Sequence, residues 1–111
     1  MCRALTVVCC ALDDAALQTL KRAIVSTDWE LAPGATGAEE AFEQIEDHRA
    51  HILVVWGDFP ELIREARERF PALRIVLIGP ELAEADVTVA SVEEAKGAIL
   101  GSPPVGGPVR S

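Results

Sequence analysis

The chain has 111 residues, half of them apolar and a quarter charged, with a formal net charge of −8. That length suits one domain with one modest core, and no stretch approaches the roughly 20 apolar residues of a membrane-spanning helix. The charge argues against nucleic acid as a direct ligand. Phosphate contacts need clustered Lys and Arg, and the one basic cluster, Arg64, Arg67 and Arg69, is interleaved with Glu61, Glu65 and Glu68 at spacings that suit ion pairs on a solvated helix face.

The first element is a continuous apolar run with β-branched residues, Leu5 to Leu12, which predicts a buried strand. A basic start and a short apolar run also open a signal peptide. Here Asp13 and Asp14 follow at once with no small-residue cleavage site, so the run reads as a core strand of a cytoplasmic protein. The run holds two of the three cysteines, Cys9 and Cys10; Cys2 precedes it. An odd count with two adjacent residues is no disulfide framework. Neighbours on a strand point to opposite faces, so both are expected to pack as small hydrophobes.

Asp13 and Asp14 can cap the next helix and complement its dipole. Leu17, Leu20 and Ile24 mark that helix's buried stripe. Trp29 to Ala32 alternates weakly and suggests a short strand begun by a half-buried Trp29. Pro33-Gly34 turns the chain. Thr36 and Glu39 form a capping-box pattern before a helix with Ala38, Ala41, Phe42 and Ile45 inward. His48 and His51, near its far end, are expected in solvent, and no His/Cys spacing suits zinc.

His51 to Trp56 is the third strand. Asp58 is placed to cap the third helix, with Pro60 near its start, where a missing N–H does no harm. Ile63, Ala66 and Phe70 give this helix its inner side and Pro71 ends it. Arg74 to Ile78 is the fourth strand, stopped by Gly79-Pro80. Asp86 to Ala90 suggests a fifth. Ser91 and Glu94 form a second capping box, and Val92, Ala95 and Ile99 a last buried stripe. Residues 1–100 thus read as one domain. Residues 101–111, rich in Gly, Pro and Ser, read as a disordered tail or linker.

Strands alternating with helical patterns imply a parallel sheet with helices on both faces. Right-handed crossovers then favour a three-layer, flavodoxin-like α/β fold with strand order 2-1-3-4-5. One link departs from the pattern. Gly79 to Ala85 is shorter than the dozen or more residues of an ordinary parallel crossover, so the fourth helix is missing or reduced to one turn around Glu81 to Glu84. The alternative is a fifth strand that pairs antiparallel or not at all. The absence of Asn and Tyr and the excess of Arg over Lys lean towards a GC-rich bacterial source.

Over residues 4–100 this pattern resembles the receiver (CheY-like) domain of bacterial two-component response regulators. The resemblance rests on the element order, on Asp13-Asp14 after the first strand, on Trp56-Gly57-Asp58-Phe59-Pro60 after the third, and on Pro71 to Gly79 around the fourth. In receivers a Pro follows the phosphoacceptor Asp by four residues. Pro60 fits that place, which puts Trp56 on the phosphoacceptor position. The family's Thr or Ser after the fourth strand falls on Gly79, and its Lys falls near Thr88 or Val89, well before Lys96. Receivers hold Mg²⁺ with oxygen ligands; Asp13 and Asp14 could supply two and Trp56 none.

The resemblance therefore implies a degenerate receiver, or pseudo-receiver. The expectation is a non-enzymatic, phosphorylation-independent regulatory module without a cofactor or metal, acting through a protein partner or as a homodimer. Its candidate binding residues are Asp13, Asp14, Trp56, Asp58 and Gly79, the remains of the phosphorylation pocket. A second candidate surface is the region near Glu81 to Val89 and the last helix, where loss of a helix should expose apolar sheet or strand edge. Two alternatives stand beside this reading: a phosphoacceptor receiver using Asp58, and a small-ligand sensor at the sheet top.

Overall fold

A computed structural model describes residues 5–25, 29–57, 59–79 and 85–100. In chain order these form β1 (Leu5–Cys10), α1 (Asp14–Ile24), β2 (Trp29–Leu31), α2 (Ala38–His48), β3 (Ile52–Trp56), α3 (Pro60–Arg69), β4 (Arg74–Ile78), β5 (Val87–Val89) and α4 (Val92–Leu100). The strands make one five-stranded sheet in the order β2-β1-β3-β4-β5. Every neighbouring pair is parallel, β4 with β5 included. The antiparallel alternative for the fifth strand is set aside. The sheet is the expected flavodoxin-like arrangement.

Alternation along the central strands builds two cores. Val7, Cys9, Ile52, Val54, Val76 and Ile78 face α1 and α4. Val8, Cys10, Leu53, Val55, Ile75 and Leu77 face α2 and α3. The two adjacent cysteines therefore enter different cores, as period-two geometry requires. Burial on both faces explains why β1, β3 and β4 are unbroken apolar runs. The expected stripes of α1 and α2 are the buried ones. On α3, Leu62 joins Ile63 and Ala66 in the core, and Phe70 sits half-buried at the helix end.

Local chemistry departs from the expectations in four places. Trp29 is fully in the core, not half-buried, and its Nε1–H donates to the Ile24 carbonyl at 2.9 Å. The N-cap of α2 is Gly37, so the box of Thr36 and Glu39 does not form; Glu40 reaches back instead and accepts from the Thr36 N–H at 3.3 Å. The N-cap position of α3 is Phe59, not Asp58, with Pro60 following at the first helical turn. Before α4, Glu94 bonds to the Ala90 N–H at 3.1 Å while its own N–H reaches the Ser91 hydroxyl at 3.4 Å, a box opened by one residue. Asp13 caps α1 as expected, its Oδ1 accepting from the Ala16 N–H at 2.8 Å.

The link from β4 to β5 carries no helix among its described residues, and four helices accompany the five strands. Asp86 holds it in place. Its N–H donates to the Ile75 carbonyl at 2.9 Å, and its Oδ2 accepts from the Ile75 N–H at 2.7 Å and from Arg67 Nη2 at 2.6 Å. Arg67 also donates to the Pro71 and Leu73 carbonyls. One carboxylate and one guanidinium thus tie α3, the start of β4 and the entry to β5 together. The expected turn around Glu81 to Glu84 and the tail at 101–111 lie outside the described residues.

Candidate functional site

The carboxyl ends of β1, β3 and β4 lie side by side at one rim of the sheet, where open α/β folds place their ligands. Asp13 and Asp14 follow β1, both exposed, with Asp13 already engaged in its cap. Trp56 ends β3 opposite Ile78 of β4. It is half-buried and packs against the core beneath α1 and α4, so it both fills space and keeps a solvent-facing part. Asp58 lies outside the described residues.

Gly57 and Gly79 close the ends of β3 and β4. The Gly57 N–H donates to the Ile78 carbonyl at 3.2 Å and the Gly79 N–H to the Val89 carbonyl at 3.1 Å. Both have φ values that side-chain-bearing residues rarely adopt, +126° at Gly57 and +134° at Gly79. A Cβ on Gly57 would stand 3.2 Å from Leu12 Cγ and 3.3 Å from Phe59 Cε2. Leu12 and Phe59 therefore both close over the bare backbone of Gly57. A Cβ on Gly79 would find space, 3.9 Å from the Gly57 carbonyl oxygen, but at a strained φ. The position that the resemblance aligns with the receivers' hydroxyl thus has a backbone conformation that favours glycine.

Leu12 and Phe59 are the residues that sequence reasoning missed. Leu12 was absorbed into the first strand, but that strand ends at Cys10 and Leu12 stands 66% exposed at the rim. Beside it a cleft of about 250 Å³ opens between the N-termini of α2 and α3, lined by Ala38, Phe59, Pro60, Glu61 and Leu62. The sequence carried no signal for the exposed Leu12, since the apolar run continues unbroken past the end of the strand.

An indole offers one N–H donor and no oxygen, so Trp56 can neither accept a phosphoryl group nor ligate a hard cation. Among the described residues no group of three or more His, Cys, Asp or Glu is arranged to hold a metal ion. Cys9 and Cys10 are buried thiols. Burial pushes Cys9 up to about 12 and Cys10 up to about 11 from an ordinary 9.0, and a thiol is a poor nucleophile until it ionises. Alkylation of the native chain with iodoacetamide at pH 8 should leave both unmodified until the fold opens, read by peptide mass mapping. The thiols also bind their protons more tightly in the folded chain than in the unfolded one, so stability should fall as pH rises from about 9 towards 12.

The second candidate surface is not apolar in the way expected. Ile75 and Leu77, on the sheet face that a further helix would cover, are buried at 0% and 2% exposure. Their neighbour on β5, Thr88 opposite Leu77, is polar and half-buried. Among the described residues the exposed large hydrophobics are Leu12 and Val25, neither of them near β5. What β5 leaves open is a three-residue strand edge, too short to template extensive pairing.

No protein-family model matches the sequence, and no curated protein matches it. Solved structures do. The signal receiver domain of an HD domain-containing protein from Pseudomonas fluorescens Pf-5 superposes with a TM-score of 0.73 at 15% identity, covering 88% of this chain and 90% of that one. A CheY-like response regulator receiver domain protein from Methanospirillum hungatei JF-1 gives 0.72 at 16% identity, over 88% and 92% of the two chains. A cobalamin-binding protein from Desulfitobacterium hafniense DCB-2 gives 0.67 at 13% identity, over 88% of this chain and 58% of that one. One architecture thus serves proteins of different kinds, and identities this low speak to fold and not to chemistry. The all-parallel strand order 2-1-3-4-5 and the superpositions on receiver domains together establish that the chain has the fold of response-regulator receiver domains.

Proposed function

We propose that this chain is a receiver-like signalling module that works by binding a protein partner and does not undergo phosphotransfer. The observation that carries this reading is the end of β3. Trp56 stands there, packed against the core beneath α1 and α4, where a receiver needs a free carboxylate. Two features of the rim agree with it. Gly79 holds a φ of +134°, which a Thr or Ser could adopt only under strain. The exposed Leu12 beside Phe59 makes the rim partly apolar, and Trp, Phe and Leu at a rim suit recognition of another protein.

Incubation of the full chain with acetyl phosphate and Mg²⁺, followed by intact-mass measurement, tests the reading. The expected spectrum shows the unmodified mass alone. A phosphate adduct that disappears in Asp58→Ala would establish the phosphoacceptor alternative instead.

A further inference from the structure

The cleft between the N-termini of α2 and α3 is apolar on its floor and acidic around its rim. Leu62 is buried beneath it, and Phe59 and Pro60 form its wall. Phe59 and the exposed Leu12 both lie close above Gly57, so apolar surface extends from the cleft towards the rim. Its volume of about 250 Å³ suits one large side chain entering from outside.

The charged residues that open the helices are acidic, Glu39, Glu40 and Glu61 on the cleft's own face, with Arg69 as a nearby cation, packed over Phe42. The first turns of the helices carry Asp14 on α1, Glu39 and Glu40 on α2, Glu61 on α3, and Glu93 and Glu94 on α4. All four helices begin at this rim, because each follows a strand of a parallel sheet. Most of the basic residues of the helices lie towards the other pole, with Arg64 and Lys96 nearer the middle of α3 and α4. Lys21 and Arg22 are in the last turn of α1, and Arg67 and Arg69 in the last turn of α3. Each carboxylate complements a helix dipole, but together they create a negative field over the apolar patch that favours cationic partners.

We infer that the Leu12–Phe59 surface and the adjoining cleft bind a short basic segment of a partner protein. One apolar side chain of that segment, aliphatic or aromatic, enters the cleft, and flanking Lys or Arg side chains meet the carboxylate rim. This rests on the reading of the chain as a partner-binding module and names the partner's chemistry. A second copy of this chain is the poorer occupant, since two acidic poles facing each other repel.

The test uses a displayed library of random peptides of about a dozen residues, selected against the full chain. The winning peptide is then titrated into isotope-labelled protein by NMR. The expected winners combine Lys or Arg with one apolar anchor and shift the signals of Leu12, Ala38, Phe59 and Leu62. Leu12→Ser, at an exposed position that folding does not need, should weaken binding about tenfold. Glu39→Lys with Glu61→Lys should weaken it by at least as much. Raising salt from about 50 to 300 mM should lower the affinity of the parent chain several-fold, and that of the charge-reversed variant far less.

Winners without basic residues, shifts confined to another surface, no enrichment, or concentration-dependent shifts of Leu12 and Phe59 without peptide would each overturn the inference. Its failure is separable from that of the broader reading. An acetyl phosphate adduct sinks the broader reading whatever the peptides do, whereas an unmodified mass with no basic winner sinks only the partner chemistry.

Discussion

Trp29→Ala is expected to destabilise the chain by about 3–5 kcal/mol, a large fraction of the stability of a domain this size. The indole is 5% exposed and packs in the core shared by β1, β3, β4, α1 and α4. It also closes a helix end. The last carbonyls of a helix lack partners within it, and Val25, the C-cap of α1, is in extended backbone. Trp29 Nε1, at the start of β2, supplies the missing donor to the Ile24 carbonyl. Trp29→Phe keeps most of the ring and removes only that donor, so it should cost about 1 kcal/mol for the hydrogen bond beyond a small packing loss. Urea unfolding followed by far-UV circular dichroism checks both. If Trp29→Phe proved as damaging as Trp29→Ala, the missing bond would be the main term and the packing account would be wrong.

The contrast with Trp56 shows what was legible and what was not. Element order, strand order and the two buried faces follow from periodicity, because β1, β3 and β4 are apolar throughout while the helices are apolar on one side only. The absence of a full fourth helix follows from the short link between Ile78 and Val87. Burial of the two tryptophans did not follow. Trp29 begins a three-residue strand with polar Glu30 next to it, which reads as a half-exposed edge. Its burial comes from packing in the core beside the end of α1, a tertiary fact. Trp56 ends a fully apolar strand, which leaves open whether its ring is buried or exposed, and the structure half-covers it. The capping boxes slipped by one residue for a similar reason, since a side chain three or four residues on can reach either neighbouring N–H. Leu12 was hidden because an apolar residue continuing an apolar strand carries no mark of where the strand ends. The position of the sheet rim was legible, since strand ends can be placed from the runs, but the apolar character of that rim needed the backbone around Gly57 and Gly79.

Asp86→Ala is expected to lower stability by about 2–3 kcal/mol and to do so unevenly across the sheet. The carboxylate accepts from the Ile75 N–H and from Arg67, and the strand donor is partly buried. Removing the acceptor leaves that N–H without its partner, at about 1–3 kcal/mol. The ion pair contributes less, because the two side chains keep about a third of their surface in solvent, where such pairs are worth roughly 0–1 kcal/mol. Asp86→Asn retains an acceptor for Ile75 and gives up the charge, so it should cost below about 1 kcal/mol. The damage should concentrate at β5, which pairs with β4 over only three register positions. Amide hydrogen exchange reads this directly. In Asp86→Ala the protection of Val87, Thr88, Val89 and Gly79, whose N–H bonds to Val89, should fall well before that of β1 and β3. Equal losses across all five strands would instead mean that β5 unfolds only with the whole domain, and that the link needs no anchor of its own despite its shortness.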